Sequence, residues 1–443
     1  MKYSLLFEMA KASGIDALEV YEQTNTQRNI QIFESKVDTY QDSSITGINI
    51  RGKYNGKIGN TFVELYDEGM NEIILKRIID NASSISSTDD VPFLSEVQEY
   101  QEMELFNEEL ANTSTKEIID LLLSLENKIL AGDPRIDQVT DCGYTYGDSK
   151  VVIMNSHGIE AERHTNYAYI LVGTLAKENE DVQSDYQITI MKKKEDYKES
   201  EMVERALKEV LSKLNAKSMK SGSYKTIIRN DAMSSLLDVL SQSFSADSVQ
   251  KGLSVLKDKM EQKIVSEKIT VVDDPFRSDL IGSSTFDDEG TASVRLSMIE
   301  HGVLKNFYHN LKTAKKANTT SNGHGYRSGY ASPVSISPTN LYIQAGDTCF
   351  NDLVKQCENG VLITDVSGLH AGFNQLTLDF SLQASGFVIE NGSVARPVNL
   401  ITISGNLLDI LSHVEALGND LKFNSSAVGS PSILFTAINV SGE

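Results

Sequence analysis

Tryptophan is absent from the 443-residue chain, and cysteine, histidine and proline are sparse, with three, seven and seven copies. Cys142, Cys349 and Cys357 form no Cys-x-x-Cys pair. That excludes a disulfide framework and a cysteine-rich zinc site, and it fits a reducing setting. No run approaches the roughly 18 apolar residues of a membrane span. The first segment, MKYSLLFEMAKASG, reads as an amphipathic helix already carrying Glu8 rather than as a leader peptide. The expectation is a soluble, cytoplasmic protein. Positive charge is scarce too: 41 basic against 62 acidic residues leave a formal charge of -21. Such a field repels phosphate backbones and anionic lipid, so neither nucleic acid nor a membrane is an expected partner.

What is present is enough apolar material, 40% of the residues, for two cores. Segments 16–23, 28–41 and 44–65 alternate in period two around an Asn55-Gly56 turn, which predicts an antiparallel meander. Residues 68–85 and 115–131 have helical spacing, the second opened by Ser114 and Glu117 as a capping box. The acidic stretch between them, 86–110, reads as a surface excursion. Strands resume from Asp137, with 155–158 as a hairpin turn, and a helix follows over 200–216.

The small, polar stretch KSMKSGS places a boundary near Ser221. The predicted class is α+β in two domains. Residues 1–222 form an antiparallel sheet with packed helices, and residues 223–443 form a β-rich, barrel-like domain with few helices. Its first helix, DAMSSLLDVLSQSF, carries Met233, Leu236, Leu237, Leu240 and Phe244 as an apolar stripe. KKANTTSNGHGYRSGY reads as disordered, and the remaining strands read as antiparallel.

Motif chemistry is thin. H-E-x-x-H, G-x-S-x-G and the dinucleotide glycine fingerprint are all missing. His157, Glu160, Glu162 and His164 are the densest ligand-type group, but a solvated hairpin face accounts for them. FDDEG, 286–290, lacks a calcium-loop ladder and reads as the start of a hairpin, with a structural role open for Asp287 or Asp288. Ser328 reads as a solvent loop residue, whereas Arg327 and the glycines around it could offer an anion or peptide contact. His301, His309 and His413 read as surface or core residues. His370, bracketed by glycines in GLHAGFNQ, has no second imidazole or thiolate beside it.

Several segments taken in order carry a family resemblance: ALEVYEQTNTQRNIQIFESKVDTYQ, VVDDPFRSDLIGSSTFDDEGTASVRLSMIEHGVLKNFYHN, NGHGYRSGYASPVSISPTNLYIQAGD and ASGFVIENGSVARPVNLITISGN. Together they resemble the TldD/PmbA (modulator of DNA gyrase) family over nearly the whole chain, on its PmbA/TldE-like branch. The resemblance implies a metalloprotease-related fold in which active members place H-E-x-x-x-H on a helix and a cysteine near the C-terminus. Here those positions fall on Leu237, Asp238 and Gln242, and NSSAVGSP has no thiol. Leucine cannot bind a cation, and glutamine is a poor zinc ligand without thiolate or imidazole beside it.

The resemblance therefore implies no catalytic residue and no cofactor in this chain, with zinc only in a TldD-like partner. It implies a heterodimer that handles unfolded peptides, with a homodimer in isolation also compatible. His324, Arg327, His370, Phe373 and Asn374 are the candidate peptide contacts. An autonomous hydrolase using His157 with Glu160, or His370, and a homodimeric peptide-binding scaffold are the competing readings.

Overall fold

A computed structural model describes residues 2–85 and 92–443. Helix α1 (Ser4–Ala12) leads into β1 (Ala17–Phe33), β2 (Lys36–Tyr54) and β3 (Lys57–Val63), three antiparallel strands joined by two-residue turns. The turns differ in chemistry. Asn55 and Gly56 take positive φ, as a primed hairpin turn requires, while Glu34 and Ser35 adopt the same left-handed region without glycine. Helix α2 (Asn71–Ser84) then packs on β2 and β3 through Ile74, Leu75 and Ile78.

After α3 (Glu108–Ala111), helix α4 (Thr115–Gly132) starts where Ser114 Oγ accepts from the Glu117 N–H at 3.2 Å. Strands β4 (Ile136–Asn155), β5 (Glu160–Glu178) and β6 (Asp181–Met191) complete a six-stranded antiparallel sheet in the order β3-β2-β1-β4-β5-β6. Helix α5 (Glu199–Ser212) lies beside α4 on one face of it. Leu122, Leu125, Met202 and Val210 meet Tyr144, Ile170 and Val172 there. Each such side chain contributes about 1.5–3 kcal/mol by leaving water.

Part of the expected surface excursion, residues 86–91, lies outside the described residues. The rest is not a surface feature: Phe93, Leu94 and Leu105 are buried, so this segment is a strap bound to the sheet. Asn155 Nδ2 donates to Leu94 O, and Lys192 Nζ donates to Leu105 O.

From Gly222 the chain builds two further six-stranded sheets. Strand β7 (Gly222–Ile228) and helices α6 (Asn230–Ser241) and α7 (Ala246–Gln250) come first. The first of these sheets collects β8 (Val271–Asp273), β9 (Leu296–Glu300) and β10 (Val303–Leu304). After α8 (Leu311–Ala317) and the short β11 (Gly325–Tyr326) and β12 (Ser335–Ile336), it gains β13 (Leu341–Ile343). Helix α9 (Phe350–Cys357), strand β14 (Gly360–Ser367) and helix α10 (Leu369–Gly372) lead to the long hairpin of β15 (Asp379–Glu390) and β16 (Ser393–Asn406). Helix α11 (Leu407–Ser412) and strands β17 (Val414–Leu417), β18 (Lys422–Phe423), β19 (Val428–Ser430) and β20 (Ile433–Ser441) finish the chain. Pairing of β16 with β20 closes β16-β15-β14-β7-β20 into a five-stranded barrel.

Two expectations fail here. The C-terminal strands are not all antiparallel, because β7 runs parallel to β14 and β13 parallel to β19. Such pairs need long crossovers, whose partners no local alternation reveals. Nor is 315–330 disordered: α8 ends at Asn318 in the left-handed region, and His324 and Gly325 behind it are buried.

Candidate functional site

Helix α6 divides cleanly by face. Met233, Leu236, Leu237 and Leu240 are fully buried in the main C-terminal core. Asp231, Ser235, Asp238 and Gln242 recur at helical spacing on its other side. Leu237 is therefore a packing residue, and Gln242 is exposed. Burial pushes the Asp238 carboxyl above its ordinary range, partly offset by a hydrogen bond from Ser426. The structure thus sets the degenerate helix positions beside the C-terminal NSSAVGSP segment, but a hydroxyl stands at the contact. A zinc ion does not fit this donor set, which offers a hydrocarbon, one partly buried carboxyl, an exposed amide and a serine. Among the described residues, no three His, Cys, Asp or Glu side chains converge in a way that could hold a metal.

The polar face of α6 opens onto a cleft whose opposite wall is β6, the edge strand of the first sheet. The cleft runs through three adjoining cavities of about 520, 190 and 250 Å³. Tyr186, Gln187, Asp231 and Ser235 are shared by the first two, and Glu209, Lys213, Thr364 and Asp365 by the last two. Ile188, Ile190, Leu280 and Phe423 give the largest cavity apolar walls, with Arg205 and Lys422 among them. Residues from 186–190, 205–213, 231–235, 279–281, 364–366 and 421–427 supply these walls, so no motif announces them.

A second polar assembly lies where the first sheet meets the C-terminal half. FDDEG is a knot of buried carboxylates there, and not merely the start of a hairpin. Asp287 accepts from the Glu289 and Thr291 amides and from Gly325 N–H at 2.8 Å. Asp288 accepts from Arg163 at 3.0 Å and from Arg327 N–H at 2.8 Å. Glu289 accepts from Leu311 N–H at 2.7 Å, at the start of α8. Burial, with Glu289 nearby, raises the Asp287 carboxyl well above its ordinary range. The assembly ties the FDDEG and NGHGYRSG loops to each other and, through Arg163, to the first sheet.

The five candidate peptide contacts separate into two places. His324 is fully buried, stacked on Tyr308 at 4.4 Å, with Nδ1 against Asn322 O and Nε2 3.4 Å from Asp273. The Arg327 side chain is 4% exposed, over the Tyr21 ring and 3.7 Å from Glu19. Burial lowers its guanidinium, with Arg51 adding repulsion. His370 and Asn374, by contrast, are exposed on α10 and the turn after it. Asn374 Oδ1 accepts from the Leu376 and Thr377 amides, and Phe373 is buried against Phe380. No hydrogen bond or ring contact joins the two groups among the described residues.

His309 is partly buried near His324. His157 and Glu160 are exposed around their turn, and His164 bonds Asp148 at 2.8 Å while stacking on Phe106.

Comparison with known proteins gives the family to which this fold belongs. The PmbA/TldA metallopeptidase C-terminal domain matches residues 221–442, the central domain 108–214 and domain 1 residues 18–86. The chain belongs to the PmbA/TldD family. Metalloprotease PmbA of Escherichia coli O157:H7 is 26% identical over 75% of this chain and 71% of its own length. Among solved structures, a putative modulator of DNA gyrase from Thermotoga maritima MSB8 superimposes with TM-score 0.91. It is 30% identical and covers 98% of both chains. TldE from Thermococcus kodakarensis shares the fold at TM-score 0.91 and 21% identity, covering 99% of this chain and 100% of its own.

Proposed function

We propose that this chain is a non-catalytic, PmbA/TldE-like subunit of a TldD-type metalloprotease complex, and that it holds extended peptide near its partner's metal. One observation carries the reading: on α6, Leu237 is committed to the core, Asp238 faces a serine, and Gln242 is an exposed amide. A long cleft beside an unpaired strand edge suits the handling of unfolded chain, since main-chain pairing grips a peptide with little regard for its sequence.

The test uses the purified full-length chain with and without a TldD-like chain from the same genome. The expected result is far less than one zinc per chain, no cleavage of a denatured protein by this chain alone, and cleavage once the partner is added. Metal-dependent proteolysis by this chain alone sinks the reading in favour of an autonomous hydrolase.

A further inference from the structure

The largest cavity of the α6 cleft carries two cations that no carboxylate hydrogen-bonds among the described residues. Four ionised side chains of 17 lining residues face it: Asp231, Asp279, Arg205 and Lys422. Both carboxylates are committed elsewhere, Asp231 to Arg229 at 2.8 and 2.9 Å and Asp279 to Arg277 at 2.8 and 3.0 Å. Both cations are left short. Arg205 donates from Nη2 to Ile188 O and Thr189 Oγ1, and no carboxylate bonds it among the described residues. Its Nε is buried without a partner. Lys422 comes only to 3.9 Å of Asp231. In a chain of formal charge -21, a guanidinium without a bonded carboxylate and a half-exposed lysine beside apolar walls call for an anion that is itself attached to apolar groups.

We propose that this cleft is a carboxylate-capture site, in which Arg205 and Lys422 hold a carboxylate of a bound peptide. The peptide's apolar side chains lie against Ile188, Ile190, Leu280 and Phe423.

Strand geometry supports a peptide over a compact anion. Among the described residues, β6 pairs only with β5. The carbonyls of Ser184 and Ile188 turn outward toward the cleft, where Lys213 and Arg205 reach them. Alternate residues of a strand share this orientation, so the main chain of a ligand can run along the same edge. The charge balance points the same way. Burial lowers the Arg205 guanidinium against the pull of Glu209, Glu201 and Asp185, and burial lowers the Lys422 ammonium against Asp231, with Arg205 and Arg229 adding repulsion. A carboxylate between them relieves that repulsion.

The inference rests on the peptide-handling reading above and adds a chemical preference to it. The carboxylate has two sources, a peptide C-terminus or an acidic side chain, and the experiment separates them. Three fluorescein-labelled hexapeptides of alternating leucine and alanine are titrated into the full chain, read by anisotropy. One has a free C-terminal carboxylate, one is C-terminally amidated, and one is amidated with a single internal glutamate.

The expected result is that the free acid, the glutamate peptide, or both bind roughly tenfold more tightly than the neutral amide, about the 1.4 kcal/mol of one charge-assisted contact. Whichever carboxylate peptide shows the gain identifies the source. Arg205→Gln removes the preference, read as the ratio of carboxylate-peptide to amide affinity within each protein, and Arg205→Lys restores part of it. Circular dichroism of both variants guards against misfolding. Equal binding of all three peptides, or an undiminished preference in Arg205→Gln, overturns the inference while leaving peptide handling intact. Failure of every peptide to bind overturns both.

Discussion

Arg163 of β5 reaches across to Asp288 of the FDDEG loop, 3.0 Å between Nη2 and Oδ1, with the two side chains 11% and 4% exposed. The same guanidinium donates to Ser284 Oγ, and its plane lies over the Phe286 ring. This pair joins the first sheet to the C-terminal half in a place that water barely reaches.

Removing one member leaves the other charged and unpaired. Arg163→Met therefore costs about 3–5 kcal/mol, because Asp288 keeps its desolvation penalty and loses its largest compensation. Urea unfolding followed by tyrosine fluorescence and by far-UV circular dichroism measures it. A midpoint unchanged within error would show that the contact carries no net energy. Two non-coincident transitions would show instead that it couples the halves rather than stabilising each.

The metal-site reading makes a prediction about reconstruction. Leu237→His with Gln242→His restores two imidazoles to α6 yet retains no stoichiometric zinc after gel filtration. The third donor is still a hydroxyl at Ser426, and the new imidazole at 237 points into hydrocarbon. The double variant also loses about 2 kcal/mol or more of stability from the buried polar ring. A full equivalent of retained zinc would contradict the geometry described for this helix.

How much of this was legible in the sequence depends on how local each signal is. The Asn55-Gly56 hairpin, the Ser114 cap and the apolar stripe of α6 each sit within one turn or helix, and all appear in the structure. The parallel pairing of β7 with β14 joins segments more than a hundred residues apart, where alternation says nothing about partner or direction. The carboxylate knot was hidden for another reason. Asp287, Asp288 and Glu289 look like a solvated acidic turn, because such residues are mostly exposed. Their partners, Arg163, Gly325, Arg327 and Leu311, come from three other segments. Its one local trace was the concentration of glycine in NGHGYRSG, with Gly323, Gly325 and Gly329. Arg205 and Lys422 left no trace at all, since each is an ordinary charge until β6 and α6 face each other.

A pH dependence follows from Lys192. Its ammonium donates to Leu105 O, Asn166 O and Thr165 Oγ1, holding the strap to the sheet, and burial lowers its pKa from 10.5 to about 8. A depressed lysine pKa means that the folded state releases this proton more readily than the unfolded one. Its contribution is therefore fully present above about 10.5 and is lost as pH falls through about 8. Relative to Lys192→Met, the wild type gains stability between pH 8 and 10.5 and keeps a constant offset below that window. Urea midpoints of both proteins across pH 7–11 test this, and parallel curves would refute it.

The segment expected to be disordered offers the last test, because it is held by a glycine on the opposite sheet. The Tyr330 ring lies directly over Gly47 of β2, so closely that an added Cβ would fall inside the ring. Tyr330 O accepts from Asn49 Nδ2 at 2.9 Å, and its hydroxyl donates to Glu64 at 2.8 Å. Neither β2 nor the aromatic ring can move freely, since Gly47 pairs with Gln23 inside the sheet. Gly47→Ala therefore expels the ring, costs about 1–3 kcal/mol as overpacking does, and frees the chain around Ser328–Ser332. Limited trypsin digestion should then cut after Arg327 several-fold faster than in the wild type, whereas an unchanged rate would mean that the loop is held without Tyr330. Tyr330→Ala provides the control: it removes the clash, and in the Gly47→Ala background it should cause no further acceleration.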